Sequence, residues 1–85
     1  MNLTDFERIC NKHDCDLEVS DSGHTIYVEI EAKKGYVFSG TESHILCTTY
    51  YSHPKSAYKS ALNDMMLNLP LEKCEIENCD WCYDV

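Results

Sequence analysis

Basic side chains are scarce in this chain: seven Lys and Arg stand against fifteen Asp and Glu, a net charge of −8 over 85 residues. A protein that holds nucleic acid needs a basic stripe to meet phosphates, and an anionic membrane surface asks for the same. This chain repels both, so neither is an expected partner, and a cationic surface is. Glycine and proline are also few, three and two, which argues against long linkers, while 44% hydrophobic residues suffice for a packed core. No run approaches the ~18 apolar residues of a membrane span, and the opening MNLTDFERIC lacks the basic and apolar regions of a secretory signal. A single cytoplasmic domain is expected, with its six cysteines reduced rather than paired.

Catalytic signatures are missing as well. Nothing around His24, His44, His53 or Cys47 forms a nucleophile elbow or a metal pair. A calcium loop opening at Asp14 needs glycine at its sixth position, where Val19 stands. Cys79-Asp80-Trp81-Cys82 has only three residues after it, too few for the helix that lowers the pKa of a redox thiol. A non-enzymatic protein is expected.

What the chain does have is a run of strict alternation, Asp14 to Glu31, read as two strands joined by a tight turn at Ser22-Gly23. That turn pairs Val19 with Ile26, Leu17 with Val28 and Cys15 with Ile30 on an apolar face. The other face pairs Glu18 with Tyr27, Asp16 with Glu29 and Asp14 with Glu31. Carboxylates directly opposite one another destabilise a hairpin. Alternate residues on a strand lie ~6.6 Å apart, close to the phosphate spacing of one nucleic-acid strand. The row Asp14, Asp16, Glu18, Glu29 and Glu31 therefore presents charge much as a nucleic acid does, with Tyr27 as an aromatic anchor.

Around this hairpin the remaining elements read in order. Thr4 and Glu7 form a capping box for a helix over about Asp5 to His13. Lys33-Lys34-Gly35 turns into a third strand at Tyr36–Ser39, and His44 to Tyr51 reads as a fourth, giving an antiparallel meander of three to four strands. Pro54 starts a second helix with Ser52 or His53 as its cap. Its stripe of Ala57, Tyr58, Ala61, Leu62, Met65, Met66 and Leu69 ends at Pro70. A short extra strand is expected around Cys74 and Ile76, within an acidic, cysteine-bearing tail over 71–85. The order α-β-β-β-β-α defines an α+β fold with both helices on one face of the sheet.

Metal ligands supply an alternative. Cys74, Cys79 and Cys82 give C-x4-C-x2-C, and Cys10, His13 and Cys15 form a looser cluster near the other end. Zinc bound by the tail cysteines with Cys10 would join the termini in a small structural or adaptor module. In the plainer reading, Cys10 and Cys15 are small buried hydrophobes.

Two resemblances bear on these expectations. Pro54 to Leu62, with Lys55 and Lys59 near the start, is similar to the second helix of the double-stranded-RNA-binding domain family; that family's basic cluster is reduced here to two lysines, so the resemblance implies topology rather than RNA binding. The short acidic chain opening Met1-Asn2-Leu3-Thr4-Asp5-Phe6-Glu7 and continuing into acidic hairpins resembles the small phage-encoded inhibitors of host defence, of the anti-CRISPR and anti-restriction type. That resemblance implies a stoichiometric inhibitor occupying the basic nucleic-acid-binding surface of a host protein. The contact residues expected from the charge pattern are Asp14, Asp16, Glu18, Tyr27, Glu29 and Glu31, with Glu72, Glu75, Glu77, Asp80 and Asp84 as a second patch.

Overall fold

Asn2 rather than Thr4 caps the first helix, its side chain accepting from the Asp5 N–H at 2.8 Å. Asparagine is among the strongest N-caps, and its use starts the helix two residues earlier than the Thr4–Glu7 box would. The computed structural model describes residues 1–51, 53–75 and 79. In chain order these form α1 (Leu3–Lys12), β1 (Cys15–Asp21), β2 (Ile26–Ala32), β3 (Tyr36–Phe38), β4 (Ile45–Tyr50), α2 (Pro54–Leu67) and β5 (Leu71–Lys73). The fold is α+β with antiparallel sheets, as the sequence pattern implied.

Helix α1 ends where Asp14 takes a left-handed conformation, φ 62°. This is a chain-reversal position beyond the His13 C-cap, and it removes Asp14 from the strand it was expected to open. The hairpin turn is centred on Gly23-His24, one residue later than Ser22-Gly23. Gly23 has φ 90°, which suits the first central position of a type II′ turn, and Ser22 N–H donates to Thr25 O at 3.0 Å. Asp21 Oδ1 accepts from Gly23 N–H at 2.8 Å, a side-chain contact that holds the turn in this place. Moving the turn by one residue keeps every side chain on its face but changes all of its partners. The pairs are Asp16 with Glu31, Leu17 with Ile30, Glu18 with Glu29, Val19 with Val28 and Ser20 with Tyr27.

The meander is not continuous. The three-stranded sheet runs β1-β2-β4, while β3 pairs with β5 in a separate two-stranded ribbon. Competition for the edge of β2 explains the difference. Six-residue β4, rich in β-branched side chains, forms six partner positions along β2, from Ile26 with Tyr50 to Glu31 with Ile45, whereas β3 has only three residues to offer. The peptide groups of β3 are instead satisfied by β5 and by Ser43, whose carbonyl accepts from Phe38 N–H at 2.8 Å.

Both helices cover one face of the main sheet. Phe6 and Cys10 from α1 and Ala57, Tyr58, Ala61 and Met65 from α2 are buried with Cys15, Ile26, Val28, Ile30 and Ala32. The Phe6 and Tyr58 rings meet at 5.6 Å between centroids. His53 caps α2 by accepting from Lys55 N–H. That helix stops at Leu67, so the expected stripe is shorter at its end, with Met66 and Leu67 exposed. The ribbon closes one end of this core through Phe38 and Leu71, which lie opposite each other. On its other face, Val37 joins Cys74 and Cys79 in a second, much smaller buried cluster. Among the described residues, no helix is long and apolar enough to cross a membrane.

Candidate functional site

The outer face of the main sheet, turned away from both helices, carries the acidic rows. Asp16 on β1 faces Glu31 on β2, which in turn faces Ile45 on β4; one step along, Glu18 faces Glu29, which faces Cys47. A third row holds Ser20, Tyr27 and Thr49. Two carboxylate pairs thus stand directly opposite each other, the same number of side-chain rows the sequence implied but with different members. Tyr27 is 38% exposed at the end of these rows. Its phenol is held above its ordinary pKa by a hydrogen bond with Cys47 and by desolvation, with the negative charge of Glu29 and Glu18 adding to the effect.

Asp14 does not belong to this face. Its carboxylate lies 3.7 Å from Lys33 Nζ, where the chain turns out of α1, so its charge is paired locally. The second expected patch is not a continuation of the first, because β5 pairs with β3 and not with the main sheet. Glu72 and Glu75 line a cavity of about 410 Å³ together with Val37, Lys73 and Glu42. Glu42 was not singled out from the sequence; it arrives there because the 40–43 turn folds back over β3, with Glu42 N–H donating to Phe38 O at 2.8 Å. Glu77, Asp80 and Asp84 lie outside the described residues.

Among the described residues, Cys10 does not join Cys74 or Cys79 as expected. Cys10 and Cys15 lie in the main core, and burial pushes their thiols up to about 12 and about 11. Cys15 Sγ makes its contact with His13 O at 3.4 Å. They are hydrophobic core residues. Cys74 and Cys79 instead lie against His44, between the 40–43 turn and β4. Its Nε2 lies 3.2 Å from Cys79 Sγ and 3.8 Å from Cys74 Sγ. Both sulfurs are buried.

The ring of His44 is fixed from three sides. Its backbone carbonyl accepts from Ala32 N–H at 2.9 Å, its Nδ1 meets Tyr36 O at 3.0 Å, and the preceding turn is anchored where Ser39 N–H donates to Asn68 O at 2.9 Å. A β-carbon at Gly40 would meet the end of the Asn68 side chain, which would have to swing aside. A carbonyl oxygen only accepts, so the Nδ1 facing it carries a proton, and Nε2 is the ring atom turned to the two sulfurs. A cysteine against an imidazole is also the arrangement of an activated nucleophile. Here a second buried thiol shares the same nitrogen, which suits ligation better than attack on a substrate. Cys82, the last member of the C-x4-C-x2-C run, lies outside the described residues.

Set against protein-family models, curated proteins and solved structures, the chain matches none of them.

Proposed function

We propose that this protein is a non-enzymatic binding protein whose outer sheet face docks onto a basic protein surface built for nucleic acid, and that it acts as a stoichiometric inhibitor there. The observation that carries this reading is the pair of opposed carboxylate rows, Asp16 with Glu31 and Glu18 with Glu29, on the sheet face turned away from α1 and α2. The ion pairs formed between described residues, Arg8 with Asp5 and Lys33 with Asp14, both lie outside those rows. Like charges so arranged weaken the fold slightly, and a partner dense in Lys and Arg reverses that repulsion while speeding encounter. Tyr27 beside the rows supplies the rigid aromatic contact of a typical interface. An inhibitor of a host-defence nuclease is the narrower case implied by the resemblance to phage-encoded proteins.

The test is capture of cellular proteins on the tagged chain at low salt, with double-stranded DNA or RNA as competitor. The expected partner is a nucleic-acid-binding protein that is displaced by competitor, released between low and moderate salt, and lost with the double variant Asp16→Lys, Glu29→Lys. Binding that survives both the competitor and the double variant overturns the reading.

A further inference from the structure

We propose that His44, Cys74 and Cys79 form a structural zinc site that fastens the β3–β5 ribbon and the following segment to the body of the protein. The ligating atoms of the three residues lie within 4.8 Å of one another. Zn–S bonds of ~2.3 Å and Zn–N bonds of ~2.0–2.1 Å at tetrahedral angles put sulfur ~3.6 Å from nitrogen and sulfur ~3.8 Å from sulfur. The separations of 3.2 and 3.8 Å between His44 Nε2 and the two sulfurs bracket that value.

The chemistry of the donors selects the metal. Two thiolates and an imidazole are soft and borderline ligands, matched to zinc and poorly to magnesium or calcium. The Tyr36 carbonyl supplies the outer contact typical of a ligating histidine, holding the proton on Nδ1 and leaving Nε2 as the donor. The three residues supply three of the four positions of a tetrahedral zinc site.

The location shows why a metal is useful. The ribbon consists of two three-residue strands, and among the described residues the cluster on its outer face holds Val37, Cys74 and Cys79. Two strands this short share few ladder hydrogen bonds, and small folds commonly add a metal where packing alone falls short. The three ligands come from positions 44, 74 and 79, so one ion would tie the start of β4, the end of β5 and the segment beyond it to a single point.

The site is tested on the full chain, expressed with zinc and purified without chelator. The expected result is close to one zinc per chain and, after exchange, a cobalt spectrum with thiolate charge-transfer and tetrahedral d–d bands. Cys74→Ser and Cys79→Ser should each abolish that spectrum, while Cys10→Ala and Cys15→Ala should keep it. Alkylation of the wild-type chain gives a readout that does not depend on variants folding. Zinc should slow modification of Cys74 and Cys79 at least ten-fold relative to chelated protein, with exposed Cys47 reacting alike in both states. Metal-free protein whose melt ignores chelator, a Cys74–Cys79 disulfide in the mass spectrum, a cobalt spectrum that survives both serine variants, or alkylation rates unchanged by chelator would each overturn the proposal.

Discussion

The two buried clusters of this molecule are held by different means. The main core draws on α1, α2 and all three strands of one sheet, and closes around Phe6, Ile30, Phe38 and Met65, none more than 2% exposed. The ribbon cluster has one valine and two cysteines, with a histidine against the sulfurs. Hydrophobic burial scales with apolar area, of which the first region has more among the described residues, while the second adds the directional contacts of His44 to the two sulfurs. The polar groups divide along the same boundary: the acidic rows stand on the back of the main sheet, and His44 stands against Cys74 and Cys79 beside the ribbon.

The sharpest way to break this comparison is to truncate one residue on each side of it. Phe6→Ala empties a fully buried aromatic site in the main core, and a loss of about 3–5 kcal/mol is expected, as a large drop in the urea midpoint. Val37→Ala should act locally. Amide exchange should quicken at Cys74 N–H, which donates to Gly35 O at 2.7 Å, while the β1–β2 amides keep their protection. Equal loss of protection in both regions after Val37→Ala would show that ribbon and core unfold as one unit.

A smaller effect separates the two kinds of cysteine. Burial raises Cys10 from 9.0 to about 12 and Cys15 from 9.0 to about 11. Below pH 9 these thiols are protonated whether the chain is folded or not, so their contribution to stability is complete there. Above it the unfolded chain loses those protons first, and stability falls through about pH 11 to 12, by at most ~1.4 kcal/mol per pH unit for each thiol. Urea midpoints measured under reducing conditions at pH 8 and pH 10 should show this decline, and Cys10→Ala should flatten it. An unchanged slope would mean that Cys10 is not held in the dry core.

Much of this organisation is legible in the residues, and the failures have physical causes. Alternation from Asp16 to Glu31 identifies both strands and both faces, because a pleated strand has a period of two regardless of where its turn falls. The turn itself is decided by one side-chain contact, Asp21 Oδ1 to Gly23 N–H, which no periodicity reports. Capping by Asn2 and the departure of β3 are likewise outcomes of competition, between two good caps and between two strands for one edge. The C-x4-C-x2-C spacing offers Cys74 and Cys79 as candidate ligands, but His44 is some 30 positions away and reads as an ordinary residue at the start of a strand. The local clue is Gly40-Thr41-Glu42-Ser43 just before it, a turn that fixes where a side chain at position 44 must stand. His13 is nearer to a cysteine pair in sequence, yet the helix beside it commits Cys10 and Cys15 to the core.

The smallest expected effect sharpens the comparison on the outer face. Glu29 lies directly opposite Glu18, with a further carboxylate row one step along the strands. Replacing it by the isosteric Gln removes one charge without altering strand pairing or the core. Glu29→Gln should stabilise the protein by about 0.2–1 kcal/mol, the size of a cross-strand charge pair, and the gain should shrink as salt screens the repulsion. The urea midpoint at low and at moderate ionic strength is the measurement. A gain that vanishes with salt means that the wild-type face carries an electrostatic penalty which packing does not explain, and a basic partner is what would relieve it. No gain at either salt would mean that the side chains splay far enough apart for solvent to separate them, and the acidic rows would then be an ordinary solvated surface on the stronger half of the molecule.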